Sequence, residues 1–179
     1  MSARDNSRRL FLKLLALMGL GGKALAPLAA TNDLATDTWS KMAYRKLGRT
    51  DYMGSRLVFG GGASLMQGQA NHLLGPAFDA GVNVFDVGYR DYYKQAEKHM
   101  GQFIKDKRDK IFIISKAPHM MSIDADDDVS VSDARQAATN WLKQIDISLS
   151  ELKTDHVDAY YLMRSNNPKI LAAEEMYEA

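Results

Sequence analysis

The stretch Lys110-Ile111-Phe112-Ile113-Ile114-Ser115-Lys116 constrains this chain more than any other. Its apolar run is nearly continuous and charge bounds it on both sides. A strand of that kind is buried on both faces, which is the habit of parallel sheets rather than of half-wet antiparallel ones. The segments around it alternate in character. Leu57-Val58-Phe59 reads as a buried strand running into a flexible Gly60-Gly61-Gly62 loop. Residues 67–80 read as a helix with Leu73, Leu74, Ala77 and Phe78 on one side, and Gly81 stops it. Val82 to Asp86 is a short strand, and residues 95–105 are helical with Met100, Phe103 and Ile104 apolar. The longest helix runs from Ser130 to Leu152. Ser130 and Asp133 form a capping-box-like start, and Ala134, Ala138, Trp141, Ile145, Leu149 and Leu152 follow at helical spacing. His156 to Leu162 is the next strand, and residues 172–179 begin another helix. Ahead of all these, residues 44–48 and 54–57 flank a polar turn at Arg49–Asp51 and read as a small hairpin.

Strands alternating with helices imply βα units and a parallel sheet, here with four strands after the hairpin and three crossovers. A doubly wound dinucleotide fold would need G-x-G-x-x-G after its first strand. Gly60-Gly61-Gly62-Ala63-Ser64-Leu65 lacks the third glycine. The expectation is therefore α/β, the N-terminal half of a (β/α)8 TIM barrel with about four βα units, over residues 44–179.

The first thirty residues differ in character. Ser7-Arg8-Arg9-Leu10-Phe11-Leu12-Lys13 matches the twin-arginine export signal S-R-R-x-F-L-K at every specified position, and Leu14 to Leu20 supplies the apolar stretch behind it. Residues 1–30 thus read as a signal peptide and 31–43 as a linker. The implied partner is the twin-arginine translocation machinery, and the implied location is the periplasm or another extracytoplasmic space. Without residues 1–30 the chain keeps 149 residues with 18 basic and 21 acidic side chains, a net charge of −3. A complete barrel needs about 250 residues. The chain is then a truncated piece of a longer protein, or a half-barrel that pairs as a homo-oligomer to cover its open edges.

Composition removes several chemistries. Cysteine is absent, which excludes a disulfide framework, a thiolate metal site and a cysteine nucleophile. The full-chain net charge of +1 gives no footprint for nucleic acid. Asp124, Asp126 and Asp128 alternate like a calcium loop, but Val129 stands where glycine is needed and Arg135 where glutamate is needed. His72, His99, His119 and His156 are scattered, so no metal is expected. His119 follows Lys116 closely enough to line a mouth, although a lone loop histidine is ordinarily exposed.

In a barrel the site lies at the C-terminal ends of the strands. Those ends carry the Gly60–Gly62 loop, Asp86, Lys116 and Met163. An aspartate and a lysine closing apolar strands are costly unless paired, and the simplest partner of each is the other.

Several motifs in order resemble the aldo-keto reductases. They are Tyr44-Arg45-Lys46-Leu47-Gly48-Arg49-Thr50, Ala80-Gly81-Val82-Asn83-Val84-Phe85-Asp86, Glu97 with Gly101, Arg108-Asp109-Lys110 through Ser115-Lys116, and Ser148-Leu149 through Tyr161-Leu162. The resemblance implies an Asp, Tyr, Lys, His tetrad, an NADP(H) cofactor, and a small-molecule carbonyl or alcohol substrate. Asp86 and Lys116 match the Asp and Lys. The Tyr falls on Tyr93 when counted back from Glu97, with Tyr92 next. The phenol would protonate the carbonyl oxygen. With an ordinary pKa of ~10 it needs a neighbouring ammonium to lower that value, and Lys116 would supply it. Gly61, Gly62 and Asp86 are the expected cofactor contacts. Tyr92, Met163 and Asn166 are the expected substrate contacts. Met163 stands where the family has its His and offers no donor, so Arg164, Asn166 or Asn167 would have to substitute. The loops that grip the cofactor phosphates follow strands seven and eight of the family's barrel, beyond the four strands read here. A non-catalytic relative that keeps the scaffold for binding is the alternative function.

Overall fold

The computed structural model describes residues 40–179. The signal and residues 31–39 of the linker lie outside the described residues. The hairpin comes first, with β1 (Tyr44–Lys46) antiparallel to β2 (Met53–Ser55) and Tyr44 opposite Ser55. Four parallel strands follow in sequential order: β3 (Val58–Gly60), β4 (Val84–Asp86), β5 (Phe112–Ala117) and β6 (Ala159–Leu162). Sequential order with a helix at each crossover is the βα repeat expected of a barrel segment.

The connecting helices are α1 (Gly61–Ser64), α2 (Leu74–Asp79), α3 (Arg90–Tyr93), α4 (Ala96–Ile104), α5 (Val131–Leu152), α6 (Pro168–Leu171) and α7 (Glu174–Glu178). The capping box of α5 is present in full: Asp133 N–H donates to Ser130 Oγ, and Ser130 N–H donates to the Asp133 carboxylate. Three expectations need correction. Gly61 and Gly62 lie in a helical turn and are buried, so they form no flexible loop. The helix expected over 67–80 shrinks to α2 after a 3-10 turn at Asn71–Leu73. Pro76 explains the late start, because proline fits only the first turn, where an N–H has no partner. β3 is exposed rather than buried, since it is an edge of the sheet and Val58 is half-exposed. The helix expected over 172–179 is present as α7, and a short α6 that the sequence does not announce precedes it, opened by Pro168 and capped by Asn167.

The main core lies between the sheet and the helices. Phe85, Val87, Ile111 and Ile113 pack with Leu65, Met100, Ile104 and Leu152. α4 and α5 approach closely at Gly101, where an added Cβ would sit 2.6 Å from the Leu152 carbonyl oxygen. The hairpin closes the opposite end of the strands. Tyr52 Oη donates to Asn83 O and Lys110 O, and the Asn83 side chain bonds Ser55 N–H and Met53 O. That end is plugged, and the C-terminal end stays open.

Candidate active site

Strand register sets the first two residues. Asp86 closes β4 opposite Ile114, two positions before Lys116 on β5. Lys116 Nζ donates to both Asp86 carboxylate oxygens at 2.6 Å and to Val87 O at 2.7 Å. The pairing expected from cost alone is present. An ammonium has three protons, and these three acceptors hold it on all sides. The chain leaving β4 continues along β5, with Val87 N–H on Ile114 O and Tyr89 N–H on Lys116 O.

Tyr93 ends the short α3 and is half-buried. Its ring is clamped between two glycines. A Cβ on Gly62 would sit 2.6 Å from it and a Cβ on Gly88 2.7 Å from it. Lys116 Nζ lies 5.5 Å from the ring centroid, and Tyr92 meets the ring edge-on at 4.8 Å between centroids. The phenol is not lowered as expected. Burial pushes it above its ordinary value, and the Asp86 carboxylate adds to the rise. The reason is local: the Lys116 ammonium is committed to Asp86 and Val87 O, and Tyr93 meets the pair as a whole.

The remaining residues fall into two groups. Asp86, Lys116, Tyr93, Gly61 and Gly62 come together, but the two glycines back the Tyr93 ring and the Asp86 carbonyl rather than an open phosphate loop. Tyr92 is more than half-exposed beside them. Met163 follows β6 and is tied through its N–H to Ala117 O. Asn166 lies on the wall of a cavity of about 710 Å³ that opens beyond the ends of β5 and β6. Tyr89, His119, Met121, Leu162 and Arg164 share that wall.

Sequence reasoning missed Tyr89 and undervalued His119. Both are nearly fully buried, at 5% and 4% exposure. Neither sits in a periodic pattern. The available signal was the spacing of His119 from Lys116, which placed it at a mouth without revealing its burial. Glu97 was quoted only as a motif position, yet it is fully buried and accepts a hydrogen bond from Ser115 Oγ at 2.7 Å. Burial pushes its carboxyl above the usual carboxylate range. Among the described residues no group of three acidic or histidine side chains could hold a metal. Asp128 of the alternating aspartates pairs with Lys169 at 2.6 Å. Among the described residues, too, no helix is long and apolar enough to cross a membrane.

Comparison with known proteins follows the same residues. The sequence profile of the aldo/keto reductase family matches residues 53–173. Two solved structures of an aldo-keto reductase from Pseudomonas aeruginosa are each 25% identical, with TM-scores of 0.54 and 0.56, covering 75% of this chain and 52% of theirs. The thermostable aldo-keto reductase Tm1743, solved with the inhibitor epalrestat, is 27% identical with a TM-score of 0.53, covering 72% of this chain and 44% of its own. The chain thus spans about half the length of the solved structures it resembles. No curated protein matches it.

Proposed function

This chain belongs to the aldo/keto reductase family, and from that premise we propose that it serves NADP(H)-dependent interconversion of a carbonyl and an alcohol. The observation that carries the reading is the Lys116 ammonium held by Asp86 and Val87 O against the Tyr93 ring, at the open end of a parallel sheet. A structural ion pair needs no aromatic acid beside it. The family match and the intact pair do not favour the non-catalytic alternative.

Asp86, Tyr93 and Lys116 do not line the cavity beyond β5 and β6; Tyr89, whose N–H bonds Lys116 O, connects the two. The cavity of about 710 Å³ falls within the ~300–1,000 Å³ of small-molecule sites. Its wall holds a single permanent cation, Arg164, so the phosphates would find little of their grip there. When bound, the nicotinamide supplies or takes the hydride. Tyr93 gives its phenolic proton to the oxygen as the carbonyl becomes an alcohol. Its raised pKa makes it a weaker acid than a free phenol, so the transfer depends on charge stabilisation of the phenolate. Lys116 holds positive charge beside the phenolate that results, and Asp86 fixes the ammonium in position.

The test uses the full-length protein. NADPH is titrated by fluorescence, and its oxidation is followed with 4-nitrobenzaldehyde. Binding and turnover, with turnover lost in Tyr93→Phe and Lys116→Met while binding persists, sustains the reading. Absence of NADPH binding overturns it.

We also propose that residues 1–30 direct export by the twin-arginine route, on the strength of the Ser7–Lys13 motif. Replacing Arg8 and Arg9 by Lys should leave the protein in the cytoplasmic fraction. Unchanged fractionation refutes this.

A further inference from the structure

A reductase of this kind needs a donor aimed at the substrate oxygen, and Met163 supplies none. Four polar residues follow it. Ser165 keeps a buried Oγ without a partner on the wall of the same cavity, but a hydroxyl rotor is less preorganised than a ring. The other three are poor replacements. The Asn167 side chain is already spent: its amide donates to Asp124 O and Asp127 O, and its carbonyl caps α6 at Lys169 N–H. Arg164 and Asn166 are exposed and have no hydrogen bond holding their side chains among the described residues.

His119 differs on each count. It is 4% exposed on a cavity wall that also carries Tyr89, whose N–H bonds Lys116 O. β5 and β6 leave the sheet side by side, because Met163 N–H bonds Ala117 O, and His119 lies two residues beyond Ala117. The ring is held in one tautomer. Its Nδ1 accepts the Met121 N–H at 3.2 Å, so the ring proton sits on Nε2. Among the described residues Nε2 has no partner, and His119 lines the cavity. Burial holds the imidazole below its ordinary pKa, which keeps it neutral at pH 7.

We propose that His119 is the neutral Nε2–H donor to the substrate's carbonyl oxygen, delivered from the loop after β5 in place of a donor at the end of β6. This rests on the reductase reading above. It requires the carbonyl oxygen to sit between Tyr93 and His119, with the rest of the substrate along the apolar wall of Met121 and Leu162.

The experiment compares full-length wild type with His119→Ala and His119→Gln, using NADPH with 4-nitrobenzaldehyde and phenylglyoxal as probes. His119→Ala should lose about 10²-fold in kcat/KM, the scale of removing one preorganised donor, with NADPH affinity unchanged. His119→Gln, which keeps an N–H donor, should lose less, and added imidazole should partly restore His119→Ala. Nitrogen NMR of the wild type should show Nε2 protonated and Nδ1 bare at pH 7. Unchanged turnover in His119→Ala overturns the assignment alone. Lost NADPH binding and no imidazole rescue in that variant overturn it as well, since they mark a structural role. The opposite tautomer also overturns it. A wild type that neither binds NADPH nor reduces a probe overturns the reductase reading, and His119 falls with it.

Discussion

Gly101→Ala tests the contact on which the helical layer depends. A Cβ at this position would lie 2.6 Å from Leu152 O, 2.7 Å from Leu152 C and 2.8 Å from Glu151 O. All three are backbone atoms at the end of α5, so no rotamer change relieves the clash. The nearest of them is roughly 0.8 Å short of ordinary contact, and α4 and α5 must part by that amount. Overpacking of this kind costs about 1–3 kcal/mol, and the rigid neighbour places the cost at the upper end. Replacing a helical glycine by alanine returns ~0.5–1 kcal/mol of backbone entropy. The net loss is about 2 kcal/mol. For a folded unit of this size it lowers Tm by roughly 6–10 °C. Urea unfolding should show a lower midpoint at unchanged slope. A variant as stable as wild type, or more stable, would refute the contact, because only the entropy gain would then remain.

Three further outcomes follow from the same structure. Burial raises the Glu97 carboxyl, so the stability it contributes is complete below its unfolded pKa and is lost as pH rises through the folded one. Glu97→Gln should therefore gain stability relative to wild type as pH rises above the ordinary carboxylate range, and a pH-independent difference in thermal scans refutes this. Arg108 donates to Ile111 O, Thr154 Oγ1, His156 O and Asp158 Oδ2 with its side chain mostly buried. Arg108→Ala should cost about 3 kcal/mol in urea unfolding, much of it from leaving Asp158 without its partner. Ser130→Ala removes the capping side chain of α5 and should cost about 1 kcal/mol in the same measurement, and an unchanged midpoint would show that the cap contributes nothing.

The parts of the fold legible in the sequence were those where one physical signal dominates. β5 is a charge-bounded apolar run, and α5 carries both a capping box and a long helical repeat. The Asp86–Lys116 pair was legible from cost, since two charges closing apolar strands require each other. Errors arose where tertiary context decides. Leu57-Val58-Phe59 has the composition of a core strand, but composition does not say which strand lies at the edge. The three glycines suggest mobility, yet two are needed small and buried, one against Asp86 O and one against the Tyr93 ring. His119 was illegible because its burial comes from the loops after β5 and β6 folding over it, and no local pattern records that.

The two faces of β5 select the same register independently. Ile113, Ser115 and Ala117 are buried, and Ile113 sits in the core under the helices. Lys116, between Ser115 and Ala117, faces the open end. On the helix side Ser115 Oγ donates to Glu97 at 2.7 Å, and on the other side Lys116 holds Asp86 at 2.6 Å. A slip of one residue would exchange the faces, because side chains alternate along a strand. Lys116 would enter the dry helical layer, and Asp86 would be left half-buried without its cation. Stranding one partner of such a pair costs up to ~3–5 kcal/mol when fully buried and less here, where both ends keep some water. The slip would also part Ser115 Oγ from Glu97 and leave a buried carboxyl without its donor, a cost that apolar residues at 115 and 97 would not carry. The buried Ser115–Glu97 bond therefore contributes to the site from the far side of the sheet, by fixing which residue of β5 reaches the Tyr93 ring.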